Sequence, residues 1–298
     1  MKTCALISLS ILSGCVLYLL DPQSTFAQEQ ADADVPTAPS KKVSIAPTDH
    51  LYSPYIADQK RVSFGLQLLH VADSDIPDTG FKRFALRMGG RLELFNWTAQ
   101  NKPEQQLQAN FEVGFLGHFD IDHSQDNIGW DGNYGLIFSY QLNQSWSYRS
   151  GFYHNSSHIG DEYAERTGRQ RISYTREEVL LGAQHNFNVH WQYYIELGIG
   201  YHQEDKPLQK SYRTQAGIQF QQSGFTKEQR LGWYTGLDIS AYEENDWSIN
   251  QALQVGFAFD ADPHIWRVAL DYYRGRSTLG EFFQHNEEYL GLSLYLDI

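Results

Sequence analysis

The densest group of reactive side chains in this sequence is the run YHNSSHIGDEY at residues 153–163. In an extended strand alternate residues share a face, so His154, Ser156 and His158 point to the same side, with neighbouring Cα atoms about 6.6 Å apart. On that face His154 can accept a proton from Ser156 while a carboxylate orients the imidazole, which is the arrangement that activates a serine nucleophile. The candidate catalytic residues are therefore His154, Ser156, Asp161 and Glu162.

The same run supports two further interpretations. Imidazole and carboxylate groups suit transition metals or, with fewer nitrogens, calcium, so a divalent cation at the rim of the fold is the second interpretation. Its candidate ligands are His158, Asp161 and Glu162, joined by His154. The third interpretation is structural, with these side chains forming hydrogen bonds that close the strand end and order the following loop. The sequence alone leaves all three open.

Extended strands must position these residues, because period-two alternation runs from residue 61 to the end of the chain. In the stretch 189–201 every second residue is large and apolar, and the residues between are mostly polar or small. Such alternation is typical of a strand with lipid on one side and a hydrated or packed lumen on the other. We place strands at 61–71, 82–96, 105–121, 130–141, 145–158, 170–186, 189–202, 210–222, 230–243, 246–260, 264–275 and 286–298.

These strands, about twelve in number, predict an all-β fold: a transmembrane antiparallel up-and-down β-barrel at residues 61–298. Tight turns such as 143–144 and 186–188 fall on one side, and longer connections such as 72–81 and 276–285 fall on the other. A barrel of this size has a narrow lumen, which inward Arg, Glu, Tyr and His side chains can largely fill.

The composition excludes some classes of function. The formal net charge of −13 and the pI near 5.2 argue against binding to nucleic acid, whose phosphates would be repelled. Beyond the N-terminus no apolar run is long enough for a helical span. A mean hydropathy of −0.49 still fits a barrel, because only every second strand residue meets lipid.

The N-terminus reads as an export signal. Lys2 precedes an apolar stretch, and Thr25-Phe26-Ala27 offers small side chains at the positions that a signal peptidase reads, so residues 1–27 are assigned to a signal peptide. A competing prediction uses Leu12-Ser13-Gly14-Cys15, which resembles a lipobox and would leave a lipidated cysteine as the mature N-terminus.

A leader separates this signal from the barrel. Residues 28–60 are rich in small and polar residues, which predicts a flexible periplasmic segment whose last part, 51–60, packs against the barrel mouth. Cys4 and Cys15 are the only cysteines, so a chain cut after Ala27 carries none and its fold needs no disulfide.

The final strand gives independent support for the barrel. From Leu290 to Ile298 every second residue is Leu or Ile. This pattern resembles the C-terminal signal that the barrel-assembly machinery recognises, although the usual last residue there is Phe. The expected partners are therefore outer-membrane lipid and the barrel-assembly machinery, with no nucleic acid.

The tripeptide HNS at 154–156 resembles the His-x-Ser element of outer-membrane phospholipase A and of the barrel lipid A deacylase. In those families the pair also lies on a strand near the outer leaflet, which implies His154 as the base and Ser156 as the nucleophile. Their third member lies on the next strand, where this chain offers Glu177 and Glu178. Because alternate residues of a strand share a face, His154 and Ser156 lie on the same face as large aromatic residues of this strand and are expected to face lipid.

Over most of its length the chain also resembles a bacterial family of outer-membrane β-barrels known as a domain of unknown function. The segments that carry this resemblance are YSPYIAD at 52–58, the cluster at 154–163, and FFQHNEEY at 282–289. The resemblance implies an outer-membrane location and no activity. The last motif begins the final strand, so its residues 285–287 would either meet the His154 cluster across the rim or close a hairpin.

The sequence thus predicts a β-barrel in the outer membrane of a Gram-negative-type bacterium and leaves its activity open. The first hypothesis is a closed or narrow envelope barrel. The second is an esterase or deacylase of outer-leaflet lipid that uses Ser156 and His154, and the third is a narrow channel whose acidic wall favours cations. No cofactor is predicted apart from the divalent cation considered at the extracellular rim.

Overall fold

The computed structural model describes residues 42–47, 50–203, 208–222, 230–261 and 264–297. The predicted signal peptide, the alternative lipidation site at Cys15, the first part of the predicted leader and the terminal Ile298 lie outside these residues. The described chain therefore begins just before the barrel.

Within these described ranges, twelve long strands make up the barrel, and one short strand precedes them. Their bounds are β1 (Lys42–Ile45), β2 (Phe64–Ser74), β3 (Lys82–Ala99), β4 (Lys102–Asp120), β5 (Asp126–Gln141), β6 (Trp146–Ile159), β7 (Thr175–Asn186), β8 (Trp191–Gln203), β9 (Tyr212–Gln221), β10 (Leu231–Tyr242), β11 (Ile249–Asp260), β12 (Ile265–Arg276) and β13 (Asn286–Asp297). Strands β2 to β13 lie where period-two alternation places them, within a few residues, which confirms the predicted fold class. No described helix has the length and apolar character needed to cross a membrane.

The strands follow sequence order round a closed ring. Each strand from β2 onward pairs antiparallel with the next, and β13 returns to β2, for example with Leu292 opposite Leu68. The short β1 adds to the far end of β3, where Val43 lies opposite Trp97. Closure gives the strand backbones partners within the sheet, which is what a structure in contact with lipid requires.

Side chains alternate between an apolar outer face and a polar inner face. On β13, Leu290 and Leu292 are 57% and 52% exposed, whereas Tyr289 and Tyr295 are buried. The same pattern recurs round the ring and gives the barrel an apolar outer surface. Exposed members of this surface include Leu66, Leu68, Met88, Leu136, Phe138, Leu181, Ile195, Leu237, Val255, Phe257, Val268 and Leu270.

Many charges inside the barrel are paired. Arg213 reaches two carboxylates, with Nη2 2.6 Å from Glu178 Oε1 and 2.7 Å from Glu196 Oε1. Arg149 also contacts Glu196, and Arg176 Nε lies 2.9 Å from Glu178 Oε2. Removal of one partner would leave an uncompensated buried charge, so this chain of ions stabilises the wall only as a unit.

Residues 50–63, called the luminal segment below, lie inside the barrel. The sequence predicts a flexible stretch at 28–60 that reaches only the mouth, but the described part of it from residue 51 onward is largely buried among inward side chains. Tyr55 stacks on Tyr194 of β8 with ring centroids 3.7 Å apart. Aromatic rings of this kind are more stable when removed from water, which explains the deeper position.

Side-chain amides of the wall bind the backbone of the luminal segment in place of a β-ladder. Gln184 Oε1 accepts a hydrogen bond from Ser53 N at 3.1 Å, and its Nε2 donates to Ser53 O at 3.3 Å. Gln219 makes a similar pair, accepting from Ile56 N at 3.0 Å and donating to Pro54 O at 3.2 Å. These glutamines satisfy polar groups that burial would otherwise leave unpaired.

The two ends of the barrel differ in their connections. Short connections such as 142–145 and 187–190 form what we call the turn end, and longer ones such as 160–174 and 277–285 form the loop end. The connection from β6 to β7 contains the short helix α1 (Asp161–Thr167), which has about two turns. The side with long connections is therefore the one on which the candidate catalytic run lies.

Residues 277–285, called the cap below, fold back into the mouth at the loop end. Leu279 and Phe282 are fully buried in an apolar cluster with other residues of that end. The backbone NH of Gly280 donates to Asp131 Oδ1 at 3.0 Å. Apolar packing and a buried hydrogen bond to the wall thus close the loop end.

We predict that Gly160→Ala destabilises the loop end. Gly160 starts the connection from β6 to α1, and a Cβ there would lie 1.7 Å from the carbonyl oxygen of Asn127. The backbone must move to relieve this clash, at a cost of about 3 kcal/mol. Urea unfolding of the chain in detergent micelles measures the change in the free energy of unfolding.

Gly168→Ala is the matched control. Gly168 has a φ of +71°, and an added Cβ would meet no atom within 4 Å. Only the left-handed backbone conformation then opposes alanine, at about 1 kcal/mol. Equal losses of stability in the two variants would contradict the close approach at Gly160.

Candidate functional site

The candidate catalytic pair lies on the outer wall, on β6 between β5 and β7. In the ladder His154 stands opposite Tyr134 of β5 and Glu177 of β7. Phe152, two residues before it, is 58% exposed, and alternation places His154 and Ser156 on that same outward face. The predicted orientation toward the outer surface is thus the one observed.

A chain of hydrogen bonds links His154 to a carboxylate. His154 Nδ1 lies 2.9 Å from Glu177 Oε1, and Tyr201 of β8 donates its hydroxyl to Glu177 Oε2 at 3.0 Å. The imidazole also stacks on Tyr134, with ring centroids 4.5 Å apart and planes at 20°. Contacts on two sides therefore hold the ring, and both oxygens of the carboxylate are engaged.

This geometry leaves one imidazole nitrogen for chemistry. With Nδ1 directed at the carboxylate, Nε2 is the nitrogen that can take a proton from a hydroxyl, as in serine hydrolases. Ser156 lies two residues further along the same face. Gly132 stands opposite it, and a Cβ built there would lie 3.8 Å from Ser156 Oγ, so glycine keeps the space beside the hydroxyl open. Ser156 Oγ makes no hydrogen bond to any other described residue.

Glu177 takes the role that the sequence assigns to Asp161 or Glu162. Those two residues form the first turn of α1, after the chain has left the strand, where the helix dipole favours carboxylates. Glu177 belongs to the neighbouring strand, which is where the His-x-Ser resemblance places the third member. Glu178, the other residue considered there, faces the lumen and pairs with Arg213.

The proposed cation ligands do not form a metal site. His158 stacks on Trp130 with ring centroids 4.3 Å apart, while Asp161 and Glu162 lie in α1. Among the residues that the structure describes, no group of three or more His, Cys, Asp and Glu side chains could hold a metal ion. The interpretation of His158, Asp161 and Glu162 as ligands is therefore corrected, since aromatic stacking and a helix terminus account for their positions.

The polar start of β13 serves the fold of the loop end. His285 Nδ1 lies 3.2 Å from Asp75 Oδ1, and Glu287 points inward to pair with Arg83. These contacts tie β13 to the connection between β2 and β3. Of the two arrangements considered for this motif, the structure favours closure of the mouth over a meeting with the His154 cluster.

Sequence reasoning missed the two tyrosines that support the site, Tyr134 and Tyr201. Both occupy outward positions in alternating strands, where a tyrosine looks like any other interfacial aromatic residue. The only available signal was parity, which places them on the same face of the sheet as His154 and Glu177. Their contacts follow from the pairing register, which a single sequence does not display.

We predict that neutral His154 carries its proton on Nδ1. Donation to the Glu177 carboxylate favours that tautomer, and Glu177→Leu removes the acceptor and with it the preference. Nitrogen NMR of the histidine-labelled chain in micelles reports the tautomer, and a His154→Gln sample assigns the signal. A proton found on Nε2 in the native chain would contradict the arrangement.

The family comparison covers nearly the whole chain. Residues 22–297 match the family model described as "Protein of unknown function (DUF1207)". No curated protein matches the chain.

Solved structures share the barrel architecture. Outer membrane phospholipase A from Escherichia coli has a TM-score of 0.54 and 13% sequence identity, covering 84% of this chain and 95% of that one. The phospholipase (OMPLA) dimer of Salmonella typhi with bound calcium has a TM-score of 0.53 and 14% identity, covering the same shares of the two chains. At these identities the likeness shows the fold of an outer-membrane barrel and nothing of its activity.

Proposed function

We propose that this chain, which belongs to the DUF1207 family, resides in the outer membrane of a Gram-negative-type bacterium and hydrolyses an ester bond of an outer-leaflet lipid. Ser156 is the nucleophile, His154 is the general base, and Glu177 orients the imidazole. One observation carries the proposal: His154 Nδ1 lies 2.9 Å from Glu177 Oε1 on the outward face that Ser156 shares.

Ionisable groups on a lipid-facing wall need an explanation. The outer surface of this barrel is built largely from Leu, Phe, Val and Ile, and ionisable side chains in such surroundings are unfavourable and usually functional. His154 and Glu177 are partly shielded, with side chains 17% and 29% exposed. The pair therefore sits where a hydrogen bond gains strength from low polarity yet remains open to a molecule in the membrane.

The chemistry of the site balances without a cofactor. Ser156 Oγ attacks the ester carbonyl while its proton moves to His154 Nε2, and Glu177 stabilises the imidazolium. The imidazolium then protonates the leaving alcohol as the ester bond breaks, which leaves an acyl group on Ser156. A water molecule, deprotonated by His154, releases the fatty acid and restores the serine.

The order of side chains along β6 suits a lipid that lies alongside the strand. His158, which stacks on Trp130, lies nearest the loop end of β6. Ser156 lies further along the strand toward the turn end, and the exposed ring of Phe152 lies further still. Histidine and tryptophan suit the headgroup region, and a phenyl ring suits acyl chains. The ester bond of a lipid lies between those regions and would therefore be level with Ser156.

The fold similarity supports the same class of substrate. The two solved structures described above, each with a TM-score above 0.5, are both named as outer membrane phospholipases. Their names speak for those proteins alone, and the proposal for this chain rests on its own His154, Ser156 and Glu177. The remaining partner we propose is the barrel-assembly machinery, which would read the alternating Leu residues of β13.

A channel finds less support than an enzyme. The luminal segment occupies the interior, and the cap fills the mouth at the loop end. Ions that entered the lumen would therefore meet the packed side chains of the cap at the loop end. A closed barrel without catalytic activity is the alternative that the following experiment separates from the proposal.

We predict that Ser156→Ala and His154→Ala reduce fatty-acid release to background. The native chain would be folded into vesicles that contain bacterial phospholipid and lipid A, and released fatty acid would be measured by mass spectrometry. Glu177→Gln keeps a hydrogen-bonding group but loses the charge that stabilises the imidazolium, so its rate should fall about a hundredfold or more.

Ser150→Ala is the matched control, because Ser150 lies on the same outward face of β6, away from His154. Its rate should equal that of the native chain. Heat-modifiable migration on gels checks that every variant is folded. Release that persists in folded Ser156→Ala, or that is absent from the native chain, would refute the proposed hydrolysis.

A further inference from the structure

A cavity of about 780 Å³ follows the lumen. Phe64 and Asp297 line it near the turn end, and Thr278 of the cap lines it near the loop end. The cap is packed against the wall, so the cavity is a pocket that ends blindly at the loop end. This pocket lies on the opposite side of the wall from His154 and Ser156 and is independent of the proposed hydrolysis.

Several charged groups that line this pocket are already neutralised. Arg91 Nη2 lies 2.8 Å from Glu112 Oε1, and Arg267 Nε lies 2.6 Å from Asp297 Oδ2. The paired arginines of β6, β7 and β9 described above line the pocket as well. Most charged side chains of the wall are thus paired with an opposite charge, so the wall attracts neither anions nor cations strongly.

The luminal segment contributes charges that lack such partners. Lys60 Nζ has no ion pair with any described residue, and it lies over the ring of Tyr242 at 5.4 Å from the centroid. The carboxylate of Asp58, two residues away, accepts a hydrogen bond from the backbone NH of Lys60 at 2.8 Å but forms no ion pair with its side chain. Arg61 is also unpaired and stacks on Tyr295 near the turn end.

Unsatisfied amide oxygens lie in the same pocket. Asn133 is 92% buried, being only 8% exposed, and its Oδ1 has no hydrogen-bond partner among the described residues; the same holds for Oδ1 of Asn155. Buried polar atoms without partners are unfavourable, and a polar cavity of this size satisfies them by taking up water or a polar solute. The Oδ1 atoms of these asparagines are therefore available as hydrogen-bond acceptors for a bound solute, and the ammonium group of Lys60 is available as a donor.

The charges that line the pocket indicate which class of solute it can bind. A simple anion would be drawn to Lys60 but repelled by Asp58, Asp131 and Glu244, the acidic groups that act on that ammonium. A simple cation would be drawn to Asp58 but repelled by Lys60 and Arg61, the bases of the same segment that form no ion pair with a described residue. A solute that carries one charge of each sign can satisfy both free groups at once.

We propose that the lumen binds a small zwitterionic solute, an amino acid or short peptide. Its carboxylate pairs with Lys60, its ammonium group pairs with Asp58, and its polar backbone donates to the Oδ1 atoms of Asn133 and Asn155. The solute enters from the turn end, because the cap closes the other end. Half of the site thus belongs to the luminal segment and half to the barrel wall.

Calorimetric titration of the folded full chain tests this site with matched probes. Triglycine is a zwitterion, N-acetyl-triglycine lacks the ammonium charge, and triglycine amide lacks the carboxylate; alanine is a shorter zwitterion. We expect at least one of the two zwitterions to bind. Blocking either end of triglycine should weaken binding at least about tenfold, which corresponds to the loss of one ion contact.

Variants assign the two poles of the site. Lys60→Met should weaken zwitterion binding at least about tenfold, whereas Lys210→Met, an exposed lysine outside the pocket, should not. Asp58→Asn keeps an oxygen for the NH of Lys60, and it provides the test if Lys60→Met does not fold. Absence of binding by every probe, equal binding of blocked and free triglycine, or unchanged binding by both variants would overturn the proposal.

Discussion

Closure of the hydrogen-bonded ring is the constraint on which the rest of the structure depends. A strand that faces lipid has no water to satisfy its backbone, so each NH and CO group must find its partner in a neighbouring strand. The pairing of β13 with β2 closes the ring of the twelve long strands. Because the ring fixes the direction of every side chain, outer positions favour apolar residues, and inner positions need polar groups that satisfy one another. The arginines do so by pairing with carboxylates, and the glutamines do so by binding the backbone of the luminal segment.

Strand β6 shows how one ladder serves both faces. Outward His154 and Ser156 alternate with inward Asn155 and Ser157, and the Ser157 hydroxyl donates to Asp131 beneath the cap. The pairing of β6 with β7 places His154 directly opposite Glu177, so the backbones that carry the two side chains keep a fixed register. The outer geometry thus depends on the closed sheet and not on the conformation of the loops above it.

The parts of this structure that follow from local pattern could be predicted, and the parts that follow from register could not. Alternation places the twelve strands and puts His154 and Ser156 on one outward face, since it needs only neighbouring residues. The His-x-Ser resemblance offers Glu177 and Glu178 as the third member, but Glu177 lies 23 residues from His154, and only the pairing register shows that it is the one beside the imidazole. Proximity in sequence instead favoured Asp161 and Glu162, which the chain carries into a helix. The sequence predicts that residues 51–60 pack at the barrel mouth, but not how deep they lie, because inward glutamines bind the backbone of the segment and leave no pattern in its own side chains.

The side-chain contacts of His154 and Glu177 join β6 to β5, β7 and β8 along the outer wall and do not reach the described loops. Closure of the loop end is already provided by other contacts: Gly280 N donates to Asp131, Tyr163 donates its hydroxyl to Pro77 O at 2.7 Å, and Leu279 and Phe282 are buried in the cap. These groups face inward or lie in the loops, where polar atoms find partners easily. His154 and Glu177 lie on the opposite face, where they order no loop and cost desolvation. An imidazole held there with its Nε2 directed away from the carboxylate fits the proposed ester hydrolysis, which would use that nitrogen as the base.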